Sequence, residues 1–192
     1  FSCVDLLRRE MLESHLSSII RPKEFPERHG FTMSDLRAVM DKFKGFRVTV
    51  LGDLIVDEYI SCEPLGMSQE DPTLVVTPIQ QELFLGGSAI VAAHASSLGA
   101  EVKYFSVSGK DPTAKFAREK LNEWGVIAEV IEDESRPTTL KQRFRASDKT
   151  LLRVSHLRQH DVNRQIVRKF VTTVKAALSK SDLVIFSDFN YG

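Results

Sequence analysis

Three points along the chain combine side chains and backbone groups that can hold a polar ligand. Gly52-Asp53 follows an apolar, β-branched stretch, and a second carboxylate, Asp57, comes shortly after it. Gly86-Gly87 opens a run of small residues, and Asp188 ends a later apolar stretch. A carboxylate can accept hydrogen bonds from the hydroxyls of a polyol, and glycine lets backbone N–H groups approach a ligand closely. Together these groups can hold an oxygen-rich or anionic ligand.

Most of these features also have a purely structural interpretation. The glycine pair with Ser88 can be a tight turn that leads into a closely packed helix. Asp53 can form an Asx turn, and Asp188 can cap the start of a helix that follows it. The residues alone leave these alternatives open. For Asp57, in the turn after a buried strand, we favour a contact with a ligand.

A basic segment with strand-like spacing offers candidate phosphate ligands. Lys141, Arg143 and Arg145 alternate onto one face of a predicted strand, where they could meet a phosphate. A solvated face that protects the edge of a sheet would show the same alternation. The histidines and the two cysteines, Cys3 and Cys62, show no metal-ligand spacing, so we expect no metal site.

The composition bounds the possible partners. The 192 residues include 26 Lys and Arg and 26 Asp and Glu, so the formal net charge is zero and does not favour binding to nucleic acid or to an anionic membrane. No apolar run approaches the roughly 18 residues of a membrane span. Two cysteines far apart fit a reducing compartment, and we expect a cytoplasmic protein.

The elements that must position these residues alternate between strands and helices. This alternation predicts an α/β fold with a parallel sheet covered on both faces, and ligands of such sheets bind beyond the carboxyl ends of the strands. Two hairpin-like interruptions near 60–85 and 138–155 predict a small antiparallel flap. The predicted core strands are 46–51, 102–107, 126–131 and 182–188, the predicted flap strands are 74–78, 80–85, 138–144 and 151–154, and helices are predicted at 113–124 and 162–179, with one more after Gly86-Gly87.

Residues 1–33 are predicted to be a helical extension and linker. Apolar residues at helical spacing over 4–20 predict a helix, and the charged stretch 21–30, with its Pro and Gly residues, predicts a linker. A second helix is predicted from Ser34, which opens the main domain, 34–192. Because the chain begins in mid-pattern at Phe1, we expect a piece of a longer protein, with 1–33 either a plain extension or the tail of a preceding domain.

An ordered set of motifs within residues 34–192 resembles the ribokinase-like (PfkB) carbohydrate kinases. Ser68–Pro72 followed by Gly86–Ala89 is most similar to the branch that phosphorylates heptose 7-phosphate in ADP-heptose synthesis. The segments that carry the resemblance are Val50–Tyr59, Ser68–Pro72, Gly86–Ala89, Pro137–Arg143, Leu152–Val154 and Ser187–Gly192.

The resemblance implies a three-layer α/β/α fold with a small β lid that often forms a dimer contact. It implies that Asp57 binds sugar hydroxyls, that the glycine pair brings backbone amides to the sugar, and that cations hold a substrate phosphate. Ile90 stands where the family usually has Asn, so one polar sugar contact is lost or supplied elsewhere. The substrate-binding residues implied are Asp57, Gly86, Gly87, Ser88, Lys141, Arg143, Arg153 and Asp188.

The function implied is ATP-dependent transfer of the γ-phosphoryl group to a hydroxyl of a sugar or sugar phosphate, with ATP and Mg²⁺ as cofactors of the complete enzyme. The family's catalytic Gly-Ala-Gly-Asp segment does not occur in these 192 residues. We therefore expect a chain truncated before the nucleotide-binding half, with no catalytic residue and no kinase activity alone. A non-catalytic sugar-binding or dimerisation module of the same fold is the alternative, and an unrelated doubly wound binding protein is a third possibility.

Overall fold

The computed structural model describes residues 24–147 and 149–191, so the helix predicted over 4–20 lies outside the described residues. The chain divides into two units, with the boundary between Lys44 and Gly45. The described part of the first unit holds two helices, α1 (Glu24–His29) and α2 (Met33–Asp41). No helix in 24–147 or 149–191 is long and apolar enough to cross a bilayer.

Helix α1 was not predicted from the sequence, and helix α2 differs from the prediction in its bounds. The predicted linker 21–30 contains α1, because Pro26 lies in its first turn, where the missing N–H leaves no hydrogen bond unmade. Helix α2 begins one residue before Ser34. Its start is set by a capping box, in which the Thr32 hydroxyl accepts from the Asp35 N–H at 3.2 Å and the Asp35 carboxylate accepts from the Thr32 N–H at 2.7 Å.

The second unit contains eight strands and three helices among its described residues. In chain order these are β1 (Arg47–Gly52), β2 (Leu54–Met67), β3 (Leu74–Gly86), α3 (Gly87–Ser97), β4 (Glu101–Ser108), α4 (Pro112–Glu123), β5 (Ile127–Glu132), β6 (Thr139–Ala146), β7 (Lys149–His156), α5 (Arg164–Leu178) and β8 (Leu183–Ser187).

Four of these strands form the core sheet, in the order β5-β4-β1-β8, with every pair parallel. Alternate side chains of the central strands point to opposite faces. Val50 and Tyr104 are fully buried in a cluster with residues of α3 and α4. Leu51 and Phe105 belong to a second cluster with residues of α5. The predicted three-layer α/β/α fold is therefore confirmed.

The other four strands form the lid sheet, in the order β3-β2-β6-β7. The two outer pairs are antiparallel, but β2 and β6 are parallel, so the expectation of a purely antiparallel flap was wrong. The two short strands predicted around residue 79 are one strand, β3. Pro78 is tolerated in it because β3 is an edge strand, and the register with β2 shifts at the position opposite Pro78.

The lid sheet is attached to the core sheet where β2 and β6 begin. The buried Ser106 hydroxyl of β4 accepts from the Leu54 N–H at 3.1 Å and lies 2.7 Å from the Gly52 carbonyl. The Thr138 N–H donates to the Asp111 carboxylate at 2.7 Å, and its hydroxyl accepts from the Gly109 N–H at 3.1 Å. These bonds fix the base of the lid at the carboxyl ends of the core strands.

Candidate functional site

One face of the lid sheet brings an acidic and a basic side chain together. The parallel register of β2 and β6 places Asp57 beside Lys141 and Tyr59 beside Arg143. Arg143 donates a hydrogen bond to the Asp57 carboxylate, and both side chains are about one-fifth exposed. This bond to Asp57 raises the pKa of Arg143. The guanidinium also lies 5.2 Å from the centroid of the Tyr59 ring, a cation–π distance.

Gly86 and Gly87 shape the surface next to Asp57. A Cβ atom at Gly86 would collide with one oxygen of the Asp57 carboxylate, so any other residue at this position would displace that oxygen. Gly87 begins α3 with a φ of 56°, a left-handed conformation that favours glycine, and a Cβ there would lie 2.5 Å from the Asp53 carbonyl oxygen. The pair therefore lets Asp57 and the backbone of Asp53 pack closely against the turn, which agrees with the packing interpretation, while the approach of a ligand to its amides stays a prediction.

The Ser88 side chain faces the interior of the fold. It is fully buried, its hydroxyl donates to the Asp53 carbonyl at 2.8 Å, and it lies 2.7 Å from the Tyr104 hydroxyl. Burial is also the main reason that the pKa of Tyr104 rises to about 12. The hydroxyl of Ser88 is thus occupied within the core, and its place among the predicted substrate contacts is corrected to a structural one.

Further cations surround the Asp57–Arg143 pair. Lys141 lies with its Nζ 4.9 Å from the centroid of the Tyr191 ring, and Arg145 lies 5.9 Å from that of Tyr59. Arg153 on β7 stands directly opposite Arg143 in the antiparallel register, a cross-strand position where like charges repel. Among residues 24–147 and 149–191, these three flanking cations form no ion pair.

The excess of positive charge on this face suits an anion. The alternative of a fully solvated strand face fits Arg153, which is exposed, but not Lys141 and Arg143, which are partly buried and in contact with aromatic rings. Guanidinium groups hold phosphate through short, charge-assisted hydrogen bonds. The arrangement can therefore bind a phosphate group next to a carboxylate that accepts from hydroxyls.

A cleft of about 540 Å³ opens beside this face, at the carboxyl ends of β1, β4 and β8. Its polar wall includes Asp53 and Asp188, and its apolar wall includes Phe170 and Phe186. Of the predicted substrate-binding residues, only Asp188 lines the cleft; the others belong to the lid face, to the turn before α3 or, for Ser88, to the core. Tyr191 lines the cleft and also contacts Lys141. The structure thus divides the predicted site into two adjoining parts.

The two carboxylates of the cleft, Asp53 and Asp188, accept hydrogen bonds from different parts of the backbone. The Asp53 carboxylate accepts from the Phe189 N–H at 2.7 Å, so it does not form the local Asx turn that the sequence allowed. Asp188 instead accepts from the Asn190 N–H at 2.7 Å and closes an Asx turn, and no helix follows it in the part of the chain that the structure describes. Burial raises the pKa of Asp53, and the neighbouring Asp188 carboxylate raises it further.

Arg136 is a site residue that sequence reasoning missed. Its guanidinium pairs with the buried Asp133 at 2.9 Å and donates to the carbonyls of Tyr191 at 3.0 Å and His160 at 2.8 Å. It therefore joins three loops at the base of the lid and positions the Tyr191 ring against Lys141. The only sequence signal is its place at the start of the basic segment, because its three partners lie on different loops.

The chain was compared with known families and with curated proteins. The model of the pfkB family of carbohydrate kinases matches residues 46–189. The chain is 32% identical over 146 residues to the bifunctional protein HldE of Nitratiruptor, covering 76% of this chain and 31% of that protein. It is 34% identical over 146 residues to the D-beta-D-heptose 7-phosphate kinase of Bordetella bronchiseptica, covering 76% of this chain and 46% of that enzyme. The chain thus spans less than half the length of either relative.

Two solved structures show the same fold at low sequence identity. A carbohydrate kinase from Agrobacterium tumefaciens superposes with a TM-score of 0.56 at 18% identity, over 73% of this chain and 45% of that one. Arabidopsis thaliana ribokinase, complexed with ribose and ATP, gives a TM-score of 0.51 at 16% identity, over 74% of this chain and 45% of that one. These likenesses establish the ribokinase-like architecture of the second unit.

Proposed function

Because the chain belongs to the pfkB family of carbohydrate kinases, we propose that it forms the sugar-binding part of such an enzyme. The observation that carries this proposal is the position of the Asp57 carboxylate, beside Gly86 and within a group of cations on one face of the lid. In this arrangement Asp57 accepts hydrogen bonds from sugar hydroxyls, and the glycine pair leaves room for the sugar to approach the backbone of the turn.

We propose that the substrate is a sugar phosphate of the heptose 7-phosphate type. Lys141, Arg143 and Arg153 lie on the same face as Asp57, so one ligand can present hydroxyls to the carboxylate and a phosphate to the cations. The Bordetella relative is named for a heptose 7-phosphate, which carries both groups. Asp188, at the cleft, is assigned to the end of the substrate nearer to the core sheet.

The reaction proposed for the whole protein is transfer of the γ-phosphoryl group of ATP, with Mg²⁺, to a sugar hydroxyl in the cytoplasm. Such transfer depends on positioning and on charge stabilisation around the transferred group. Across 24–147 and 149–191, no group of three or more His, Cys, Asp or Glu side chains is suited to a metal ion, so Mg²⁺ is not assigned to named residues. We expect no sugar-dependent ATP turnover from the 192 residues alone, since they contain no Gly-Ala-Gly-Asp segment.

The proposed partner is a second copy of this chain, bound through the lid. The face of the lid opposite Asp57 carries exposed leucines, among them Leu83 and Leu152, which pair in register with Glu58 and Phe144. Exposed apolar side chains on a sheet face are typical of a protein interface. Sedimentation velocity of the wild type and of a Leu83→Ser, Leu152→Ser double variant tests this proposal. We expect the wild type to be a dimer and the double variant to be a monomer. A monomeric wild type would contradict the proposal.

Isothermal titration calorimetry with D-beta-D-heptose 7-phosphate tests the sugar site. We expect Asp57→Ala to weaken binding by about ten- to hundred-fold, because each hydrogen bond to a charged group contributes about 1.5–3 kcal/mol. Glu119→Ala, which removes an exposed carboxylate from α4, is the matched control and should bind like the wild type. Unchanged binding by Asp57→Ala would remove Asp57 from the site and overturn the proposal.

A further inference from the structure

We propose that the Asp57–Arg143 ion pair makes the site selective for phosphorylated sugars, because the phosphate group of the substrate breaks the pair. We call this ion pair the latch. The inference rests on the proposed function, because it assumes that the sugar binds Asp57 and that the phosphate binds the cations. It adds that these two events are coupled: the phosphate takes Arg143 away from Asp57, and only then is the carboxylate free to accept from the sugar hydroxyls.

Asp57 is already occupied by Arg143 in the structure. One oxygen of its carboxylate accepts from Arg143, and the other is bounded by Gly86. Both charged side chains are only about one-fifth exposed, so water can replace neither partner fully. A sugar hydroxyl must therefore compete with a guanidinium for the same oxygen.

A sugar without a phosphate competes with Arg143 for Asp57 and offers Arg143 no charge in exchange. If it displaced Arg143 from Asp57, the partly buried guanidinium would lose its counter-charge and gain none. Removing one partner of such a pair is costly because an uncompensated charge remains. An uncharged sugar must therefore break the ion pair in order to bind, and this cost lowers the affinity of the site for the sugar.

A sugar that carries a phosphate offers Arg143 a second anion in place of the Asp57 carboxylate. Arg143 can exchange the carboxylate for a phosphate without losing charge compensation, and a planar guanidinium can bind phosphate through two parallel hydrogen bonds. Arg153 lies directly opposite Arg143, and Arg145 lies over the same Tyr59 ring as Arg143. Their repulsion of Arg143 is relieved by an anion placed between them, so the exchange favours the phosphate.

A purely structural role for the pair is the competing explanation, and the topology argues against it. The backbone already pairs β2 with β6 continuously from Ile55–Thr139 to Ser61–Arg145. This ladder fixes the register of the two strands without the side-chain contact. Loss of the pair should then change ligand binding more than it changes the stability of the fold.

The experiment uses D-beta-D-heptose 7-phosphate and the unphosphorylated heptose as paired probes in calorimetry. We expect Arg143→Gln to weaken binding of the phosphorylated sugar by about ten- to hundred-fold, because it loses a charge-assisted contact. The same variant should bind the unphosphorylated heptose about five-fold more tightly than the wild type, because Asp57 is freed. Arg153→Gln is the matched control: it removes a cation that does not touch Asp57, so it should weaken the phosphorylated sugar without strengthening the other.

A measurement on the wild type keeps the test independent of any folding defect in the variants. Inorganic phosphate at millimolar concentration should tighten binding of the unphosphorylated heptose by about the same five-fold factor, because the two ligands are coupled through one ion pair. The latch is overturned if the wild type binds the phosphorylated heptose but neither Arg143→Gln nor inorganic phosphate strengthens binding of the unphosphorylated one. If the wild type binds neither sugar, the proposed function fails and the latch with it.

Discussion

The core sheet and the lid sheet are stabilised by different kinds of contact. The core strands are parallel, and Val50, Tyr104 and Phe105 at their centre are essentially buried. Strands β2 and β3 of the lid, with 14 and 13 residues, are longer than any core strand, and most of the described side chains of β3 and β7 are exposed. The core sheet is thus held by apolar burial, whereas the lid sheet must rely more on polar contacts between its strands.

A polar network crosses the lid on the face opposite Asp57. The buried carboxylate of Glu58 accepts from Gln81 on β3 and from Gln142 on β6, the latter at 2.6 Å. Gln142 in turn lies 2.8 Å from the Nε2 of His156 on β7. A continuous series of polar side chains therefore connects all four lid strands, whereas the core strands are held together by apolar packing. The difference teaches that the lid can carry charged, ligand-binding residues because its stability depends less on an apolar interior.

The largest expected effect compares a leucine that packs under the core sheet from α4 with a leucine in the lid sheet. Leu121→Ala should lower the free energy of unfolding by about 2–5 kcal/mol, because the side chain is fully buried and leaves a cavity. Leu65→Ala, at a position on β2 that is 63% exposed, should change it by less than about 0.5 kcal/mol. Urea unfolding followed by circular dichroism measures both, and equal losses would show that the lid has an apolar core of its own.

The next effect distinguishes two adjacent glycines at the junction of the sheets. Gly87→Ala should cost about 2–4 kcal/mol, because a Cβ at positive φ would meet the backbone oxygen of Asp53. Gly86→Ala meets only the end of the Asp57 side chain, so it should cost less than about 1 kcal/mol of stability but weaken binding of heptose 7-phosphate. Urea unfolding and calorimetry on both variants check the division; a Gly86→Ala variant that binds normally would contradict it.

A smaller effect is expected where the lid is attached to the core sheet. Ser106→Ala should cost about 1–3 kcal/mol, because the buried N–H of Leu54 loses its acceptor. Hydrogen exchange should then accelerate in β2 more than in β1. Ser97→Ala removes an exposed hydroxyl from the end of α3 and serves as the control, with a change near zero. Uniform acceleration over both sheets would mean that the lid does not open separately.

The smallest effect concerns pH and the edge of the core sheet. Arg47 binds the Asp182 carboxylate through its backbone N–H and its guanidinium, and these bonds lower the pKa of Asp182 from 3.8 to about 2. A carboxylate whose pKa is lowered by folding stabilises the fold above its ordinary pKa, and this contribution is lost as the pH falls from about 4 towards 2. Asp182→Asn should therefore flatten the decline of the urea midpoint between about pH 4 and 2, compared with the wild type. Identical pH profiles of the two proteins would show that the pair does not contribute.

The sequence predicted the core sheet better than the lid. Apolar, β-branched runs identify buried strands because burial is a local property of each run, so β1, β4, β5 and β8 were found within about one residue of their ends. No strand was predicted at β2, because Asp57 was placed in a turn, whereas it lies within this inner, half-buried strand. β3 is an exposed edge strand with mixed residues, and Pro78 interrupts its run. The parallel pairing of β2 with β6 has no local signal at all, because it joins strands that are distant in the chain.

The sequence by itself determined which residues could form a site: a carboxylate after a strand, a glycine pair before a helix, and alternating cations on a strand. The tertiary structure decided which of them meet. Asp57 and Arg143 are 86 residues apart, and Asp53 and Phe189 are 136 apart, and both contacts exist only because the sheets bring those segments together. It also moved Ser88 from the site into the core. The physical reason is that charge and flexibility are properties of a residue, whereas a hydrogen-bond partner is a property of the register of the strands.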